Sequence, residues 1–260
     1  MRAICLASSS HGNCYVLEFE VKGVPTRIMV ECGIPMATIY SRLIHNNIEI
    51  GTIKACLITH AHGDHSKSAR DINRAGIPIF ASVPTLTALN IDGTALKNET
   101  IQKVTDGIFV MPFDVEHDCE GSLGFVIKTS EETVIFVNDH KKWNINLINF
   151  KPDYVFIECN YDHKVVYAQY NSLKKELSTA SGGDYVEIKT KIAQHERNLN
   201  SHCSLNGTIK GLQKLNLNHC KAIFLMHLSD RYANEYRMKN EVQLKTQVLT
   251  YVCGKDGGIK

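Results

Sequence analysis

The most informative stretch of this sequence is Thr59-His60-Ala61-His62-Gly63-Asp64-His65, which follows the apolar run Ala55-Cys56-Leu57-Ile58. Imidazole nitrogens and carboxylate oxygens are the usual protein ligands of zinc and similar divalent ions. A strand that ends in His-x-His can aim two imidazoles at one ion, and the turn that carries Asp64 and His65 can reach a second ion. The stretch therefore predicts a metal site. The alternative is a polar turn with solvated histidines, but one turn rarely collects so many ligand types.

The composition is that of a globular protein with a sizeable core, because 43% of the 260 residues are hydrophobic and 22% are charged. No Pro/Ser-rich linker and no internal repeat divides the chain, so we expect residues 1–260 to form a single domain. The formal net charge of +2 gives no support to a long groove for nucleic-acid phosphates, although a local basic patch stays open. We find no signal peptide and no membrane-spanning apolar run, which predicts a cytoplasmic protein without membrane contact.

The nine cysteines are scattered along the chain, from Cys5 to Cys253, without a Cys-x-x-Cys pair. Several lie in apolar runs, where a free thiol behaves as a small hydrophobic group. This pattern fits a reducing compartment better than a disulfide framework. Cys119 and Cys203 lie near candidate site residues, so a role as soft metal ligands stays open for these two.

Hydrophobic periodicity predicts two blocks of strands, each followed by helices, which is typical of an α/β protein built as a layered αββα sandwich. The first three strands are expected to form an antiparallel meander. A polar segment at residues 178–184 is expected to be a flexible loop that serves as a lid or as a dimer-forming arm. The expected strands are residues 2–7, 14–20, 26–31, 77–80, 105–116, 124–128, 133–138, 154–158 and 222–226, and the expected helices are residues 66–75, 165–177, 205–215 and 233–244.

Three later strands also end in candidate ligands, since His117, Asp139 and His227 each follow an apolar run. A single histidine after a strand is more often a surface or hydrogen-bonded residue. Together with the first cluster, however, the three complete a set of ligands for two ions bridged by a carboxylate. The set comprises His60, His62, Asp64, His65, His117, Asp139 and His227.

The stretch from His60 to His65 resembles the His-x-His-x-Asp-His signature of the metallo-β-lactamase superfamily, and the later ligands fall in that superfamily's later motifs. The resemblance implies a dinuclear hydrolase on the αββα fold. In that pattern one ion is bound by His60, His62 and His117, the other by Asp64, His65 and His227, and Asp139 bridges them. The ligand types suit two zinc ions, and the oxygen-rich second position also admits manganese.

Four further segments resemble a branch of small phosphodiesterases: residues 6–14, 156–162, 201–204 and 226–229. The branch contains the bacterial exonuclease-like WalJ group, and the phage-borne cyclic-nucleotide phosphodiesterases that defeat Pycsar defence are similar to it. If the gene is from a phage, the expected location is the host cytoplasm. Two departures stand out. Glu31 replaces the usual aspartate of the Asp-x-Gly segment but can still orient an imidazole, and His140 stands where a threonine commonly follows the bridging aspartate.

The expected chemistry is attack on a phosphodiester by a metal-activated hydroxide, which Asp64 and Asp139 help to hold in place. His202 matches the family's Gly-His-x-Ser region, so it is expected to contact a phosphate or to protonate a leaving oxygen. The alternative for His202 is a cap on the helix that starts near Ser204. Ser10 and Asn13 are candidate substrate contacts, and their alternative is a plain turn.

We therefore expect a metal-dependent phosphodiesterase that hydrolyses 3′,5′-cyclic mononucleotides to nucleoside monophosphates, as a phage counter-defence enzyme would. The alternative is a WalJ-like single-strand or 5′-end DNA exonuclease, for which nucleic acid is the partner. A metal-free binding module on the same fold is the alternative from another functional class. No Gly-x-x-x-x-Gly-Lys-Ser or Gly-x-Gly-x-x-Gly segment points to ATP or a dinucleotide. The resemblance and the polar insertion at residues 184–200 predict a homodimer.

Overall fold

The structure, a computed structural model, describes residues 1–143 and 145–260, and for residue 198 only its position in a helix. The strands are β1 (Arg2–Ser9), β2 (Gly12–Val21), β3 (Val24–Cys32), β4 (Ile53–Leu57), β5 (Ile79–Ala81), β6 (Thr94–Ala95), β7 (Gln102–Thr105), β8 (Ile108–Glu116), β9 (Leu123–Lys128), β10 (Thr133–Val137), β11 (Lys142–Trp143), β12 (Tyr154–Glu158), β13 (Ala222–Met226) and β14 (Thr250–Val252). The helices are α1 (Met36–His45), α2 (Gly63–Ser66), α3 (Ala69–Arg74), α4 (Val83–Leu89), α5 (His163–Leu177), α6 (Gly182–Ser201), α7 (Leu205–Leu212) and α8 (Glu235–Thr246). Among these described helices, none combines the length and the apolar character needed to cross a bilayer.

Within the described residues the strands form two sheets. The first has the order β1-β2-β3-β4-β5-β6, in which the predicted meander of β1, β2 and β3 is antiparallel and the remaining pairs are parallel. The second has the order β11-β8-β9-β10-β12-β13-β14, with β7 paired to β8. In the second sheet β8, β9 and β10 are antiparallel neighbours, whereas β10, β12, β13 and β14 run parallel.

The two sheets pack face to face through large aromatic side chains. Tyr15 of the first sheet meets Phe136 of the second edge to face, with ring centroids 5.4 Å apart, and Phe156 stacks beside Phe136. The outer face of the first sheet packs on α1 and α3, and the outer face of the second packs on α7 and α8. This is the predicted αββα sandwich.

One edge of the sandwich collects the polar residues that follow the strands. Strands β8, β10 and β13 end there, because β8 and β10 both run antiparallel to β9 and β13 runs parallel to β10 through β12. Strand β4 of the first sheet ends at the same edge, since His60 and His62, which follow it, contact His117. The carboxyl ends of such strands are the usual place for a ligand site in a sheet of this kind. The candidate ligands follow directly after these strand ends.

Two predicted elements differ from the structure. The helix expected at residues 66–75 is replaced by α2, which ends at Ser66, and α3, which begins at Ala69; between them the hydroxyl of Ser68 donates to the carbonyl of Ile34. The segment from Gly182 onward is helical rather than a flexible loop, since it forms α6 and packs on α5. Helices α1 and α4 and strands β6, β11 and β14 are additional to the predicted elements.

Candidate metal centre

Three imidazoles converge after β4 and β8. Nε2 of His60 lies 3.1 Å from Nδ1 of His62, and Nε2 of His117 lies 3.3 Å from the same Nδ1 atom. Nitrogens bound tetrahedrally to one zinc ion at about 2.0–2.1 Å are about 3.4 Å apart. The three nitrogens therefore have the spacing of ligands around a single ion.

A second cluster joins two carboxylates and two imidazoles. Nε2 of His65 lies 3.3 Å from Oδ2 of Asp64 and 3.3 Å from Oδ2 of Asp139. Nε2 of His227 lies 3.3 Å from Oδ2 of Asp64 and 3.4 Å from Oδ1 of Asp139. Asp139 Oδ2 is also 3.8 Å from Nε2 of His117, so this carboxylate lies between the two clusters.

Acceptor groups fix the proton on two of these imidazoles. Nδ1 of His117 lies 3.0 Å from the carbonyl oxygen of Ser201, and Nδ1 of His65 lies 3.1 Å from Oε1 of Glu31. A carbonyl and an ionised carboxylate only accept hydrogen bonds, so both Nδ1 atoms donate. Each Nε2 atom is then free to bind an ion, which is the usual arrangement at histidine metal ligands.

Glu31 also orients the first cluster through Thr59. The hydroxyl of Thr59 donates to Oε1 of Glu31, and the same hydroxyl oxygen lies 2.9 Å from Nδ1 of His60. With its proton used on Glu31, the Thr59 oxygen accepts from His60 Nδ1 and leaves His60 Nε2 for the ion. The longer side chain of Glu31 thus reaches both clusters from a fully buried position.

Two residues of the centre have a left-handed backbone. Glu31 has φ 63° and His227 has φ 54°, a region that costs a non-glycine residue about 1–3 kcal/mol. Hydrogen bonds hold His227 there, since its N–H donates to Oγ of Ser8 and its carbonyl accepts from Nδ2 of Asn160, both at 2.9 Å. The surrounding structure therefore imposes the conformation that aims the imidazole of His227.

The electrostatics of the centre favour cations. Burial raises the pKa of Asp139, but the charges of His227 and His65 outweigh burial and hold this pKa well below its usual range. Burial lowers the pKa of His65, yet Asp139 and Glu31 outweigh it and raise this pKa well above its usual value. A position between carboxylates that attracts a proton attracts a divalent ion for the same reason.

One buried oxygen atom also indicates that the centre binds cations. Oδ1 of Asp139 is buried and has no hydrogen-bond partner in the part of the chain that the structure describes. A buried carboxylate oxygen without a partner is costly, and a bound cation would supply the missing interaction. The donor set and this oxygen fit divalent metal ions.

His202 lies beside the second cluster and pairs with Glu158. Its Nδ1 is 2.6 Å from Oε1 of Glu158, whose Oε2 accepts from the backbone N–H groups of His140 at 2.8 Å and Cys203 at 3.1 Å. Burial lowers the pKa of His202, but Glu158 and then Asp139 outweigh burial and raise it to about 9. His202 is therefore protonated at neutral pH.

The helix-cap alternative for His202 is wrong. The N-cap of α7 is Ser204, whose hydroxyl accepts from the N–H of Gly207 at 3.1 Å.

Cys203 and Cys119 are absent from the ligand clusters of the described residues, and burial raises the pKa of the Cys203 thiol well above its usual value. The site therefore consists of histidines and carboxylates.

A cavity of about 420 Å³ lies over the centre and is lined by Ser10 and His202 among others. Asn13 does not line it. The side chain of Asn13 is fully buried, and its Nδ2 donates to the carbonyls of Ser9 at 3.0 Å and Asp64 at 3.2 Å. The expected substrate contact of Asn13 is thus corrected, because this side chain holds the loop that carries Asp64.

Helix α6 adds residues that the sequence did not single out. Gln194 and Arg197 line the cavity, and the Arg197 guanidinium lies 3.3 Å from Oδ2 of Asp118. The hydroxyl of Ser201 donates to the same carboxylate oxygen at 3.1 Å. The spacing of Gln194, Arg197 and Ser201 places them on one helical face. This spacing is the sequence pattern from which a shared polar face could have been predicted.

No protein-family model matches the chain. Exodeoxyribonuclease WalJ of Streptococcus pneumoniae is 24% identical over 236 residues, which are 86% of this chain and 80% of WalJ. The metallo-β-lactamase fold protein YhfI of Bacillus subtilis superposes with a TM-score of 0.70 at 12% identity, over 99% of this chain and 97% of YhfI. The chain has the metallo-β-lactamase fold. Zn²⁺-bound PqqB of Methylobacterium extorquens is similar too, with a TM-score of 0.65 at 11% identity over 100% of this chain and 99% of PqqB.

The metallo-β-lactamase fold and the likeness to WalJ, both predicted from sequence motifs, are thereby confirmed. The fold places the carboxyl ends of β4, β8, β10 and β13 at one edge, where the two ligand clusters lie, and a third candidate group that overlaps the second consists of Asp139, Glu158, His202 and His227. Every residue of the predicted ligand set lies in one of these clusters.

Proposed function

We propose that this protein is a metal-dependent phosphodiesterase that uses two divalent ions. The observation that carries the proposal is the pair of ligand clusters that meet at Asp139 beneath an open cavity. When bound, two such ions make a hydroxide available near neutral pH and offset charge on the phosphoryl group. The likeness to WalJ, an exodeoxyribonuclease, supports phosphodiester chemistry. Zinc fits the ligand types and is bound in the similar PqqB, while the oxygen-rich second cluster also admits manganese.

The proposed roles of the ligands follow the clusters. Three imidazoles would hold one ion, two imidazoles and a carboxylate would hold the other, and the carboxylate of Asp139, which lies between the clusters, would serve both. Asp64 and Asp139 would also help to hold the attacking hydroxide in place. The ligands are His60, His62 and His117 for the first ion and Asp64, His65 and His227 for the second.

The proposed general acid is His202, which lines the cavity and carries a proton at neutral pH. Glu158 binds Nδ1 of His202, so Nε2 is the nitrogen that can donate to the leaving oxygen. Glu158 itself is fully buried and positions the imidazole without touching substrate. Ser10, at the rim of the cavity, is the proposed substrate contact from the β1–β2 turn.

The proposed substrate is a 3′,5′-cyclic mononucleotide, which would suit a phage counter-defence enzyme. A cavity of about 420 Å³ lies within the range of small-molecule sites, about 300–1,000 Å³. The cationic side chain of α6 at the rim, Arg197, is already offset by Asp118. A polymer would require several unpaired cations along its path. The compact cavity therefore favours a single nucleotide.

A second candidate is a DNA exonuclease that acts on single strands or on 5′ ends. The alignment with WalJ favours an exonuclease, because the alignment extends over most of both chains. The two candidates require the same hydroxide attack and the same general acid, so the metal centre serves either. They differ in whether substrate continues beyond the cavity.

Purified protein with Zn²⁺ or Mn²⁺ should be incubated with cyclic CMP, cyclic UMP and cyclic AMP, beside end-labelled single-stranded DNA. We expect nucleoside monophosphates from at least one cyclic nucleotide, and loss of this activity after chelation with EDTA. Shortening of DNA with every cyclic nucleotide intact would select the exonuclease. No hydrolysis of any phosphodiester with either metal would leave the binding module as the better description.

A further inference from the structure

A second cavity, of about 270 Å³, lies between α5, α6 and the loop after β13. We call it the α5–α6 cavity, and its lining includes Leu173, Gln194, His195, Arg231 and Tyr232. Gln194 also lines the cavity over the metal centre, so the two spaces adjoin at this side chain. A group attached to a phosphate at the metal centre could therefore extend past Gln194 into the α5–α6 cavity.

His195 carries an unused polar atom in this wall. The residue is only 4% exposed, and its Nε2 lies 3.0 Å from the hydroxyl of Tyr232. Its Nδ1 is buried and has no hydrogen-bond partner among the described residues. Buried polar atoms without partners are rare in native proteins and call for an explanation. A ligand that hydrogen-bonds to Nδ1 after the imidazole turns toward the cavity would provide one.

The rest of the lining suits a flat ring with a polar edge. The guanidinium of Arg231 is planar and can stack on a base, and the amide of Gln194 offers both a donor and an acceptor. Leu173 and Tyr232 contribute apolar surface. Lys191 also lines the cavity, but its charge is offset by Glu187 at 2.6 Å. Stacking, apolar contact and edge recognition together are the requirements of a nucleobase.

The floor of this cavity is tied to the metal centre. Tyr232 is five residues after His227, and its carbonyl accepts from the N–H of Asp162. Ser229, within the same loop, donates its N–H to the carbonyl of Asn160 at 2.8 Å, and Asn160 in turn bonds His227. The loop therefore keeps the cavity at a fixed position relative to the ligand His227.

We propose that the α5–α6 cavity is a nucleoside-binding subsite that receives the nucleoside attached to the phosphodiester at the metal centre. This inference rests on the proposed phosphodiesterase function. The nucleoside can belong to a cyclic mononucleotide or to the terminal unit of a strand, and both present the same sugar and base to the cavity.

The test compares two chromogenic diesters, the p-nitrophenyl ester of thymidine 5′-monophosphate and bis(p-nitrophenyl) phosphate, which lacks a nucleoside. Arg231→Ala and His195→Phe should each raise KM for the thymidine ester about tenfold, as the loss of one good polar or stacking contact does. Turnover and the kinetics with bis(p-nitrophenyl) phosphate should not change. Lys189→Ala, which removes an exposed charge from α6 outside the cavity, is the matched control. Equal effects on both esters would overturn the proposal.

A binding experiment separates this proposal from the proposed function. Calorimetric titration with thymidine 5′-monophosphate needs no hydrolysis, and Arg231→Ala should weaken binding about tenfold. If no diester is hydrolysed but the variants weaken binding, the subsite stands and the proposed function fails. Unchanged affinity in both Arg231→Ala and His195→Phe, with melting temperatures like that of the wild type, would refute the subsite. KM for cyclic CMP and for the dinucleotide pTpT should also be measured in the wild type and in both variants. The substrate whose KM rises in the variants is the one that supplies the nucleoside.

Discussion

Replacing Glu158 by glutamine should change the pH dependence of catalysis as well as the rate. Glu158 and Asp139 hold the pKa of His202 at about 9, so about 90% of His202 is protonated at pH 8. Without the carboxylate charge at 2.6 Å, this pKa should fall to about its ordinary value of 6.5, because burial lowers it and Asp139 alone still raises it. Only about 3% of His202 would carry a proton at pH 8, and we expect a rate loss of about 30-fold or more.

The loss should be small at low pH. At pH 6 about three quarters of a histidine with pKa 6.5 is protonated, so the Glu158→Gln variant should lose less than about twofold from this cause. The assay is kcat for a cyclic nucleotide, whose leaving alkoxide needs a proton, between pH 5.5 and 9.5, with metal content measured in each sample. Glu241→Gln, which removes a carboxylate of α8 paired with Arg237, is the control. An equal rate loss at pH 6 and pH 8 would refute a role of Glu158 through the proton of His202.

Four other predictions concern single changes or simple measurements. Asp139→Ala should lower the metal content from about two ions per chain and abolish hydrolysis; full activity with metal unchanged, measured by emission spectroscopy and assay, would contradict the bridging role. His202→Ala should reduce turnover by about two to four orders of magnitude with both ions retained. Ser204→Ala should lower the free energy of unfolding by about 1 kcal/mol in urea titrations, since it removes the N-cap of α7. Light scattering at micromolar concentration should show a homodimer, and a monomer at every concentration would contradict this expectation.

The metal centre could be predicted from sequence because its residues follow strands that are easy to recognise. Apolar runs precede His60, His117, Asp139 and His227, and strands that run in the same direction bring such positions to one edge. The repeated pattern of apolar run and polar residue thus indicates both the fold and the positions of the candidate ligands.

The roles of other residues depend on contacts that no local pattern encodes. Asn13 looked like a turn residue near substrate, but burial beneath the loop of Asp64 decides its role. Glu158 collects a side chain and two backbone N–H groups from distant segments, and only the packed structure brings these together.

Helix α6 was missed for a different reason. Its sequence is polar, and Ile192 and His195 are among the few side chains that it buries, so its hydrophobic periodicity is weak. The helix is stabilised by packing on α5, which the sequence does not reveal in advance. Gln194 and Arg197 therefore became visible as cavity residues only in the folded chain.

The left-handed backbone at Glu31 and His227 lowers the stability of the folded protein at the candidate metal centre. Asparagine or glycine adopts this conformation more readily than glutamate or histidine. A sequence selected only for thermal resistance would therefore replace both residues, and it would lose the candidate ligand His227 and the carboxylate of Glu31 that orients His65 and His60. At these two positions the residues that the site needs are not the residues that would make the fold most stable. Stabilisation of the protein by consensus or design should therefore leave Glu31 and His227 unchanged.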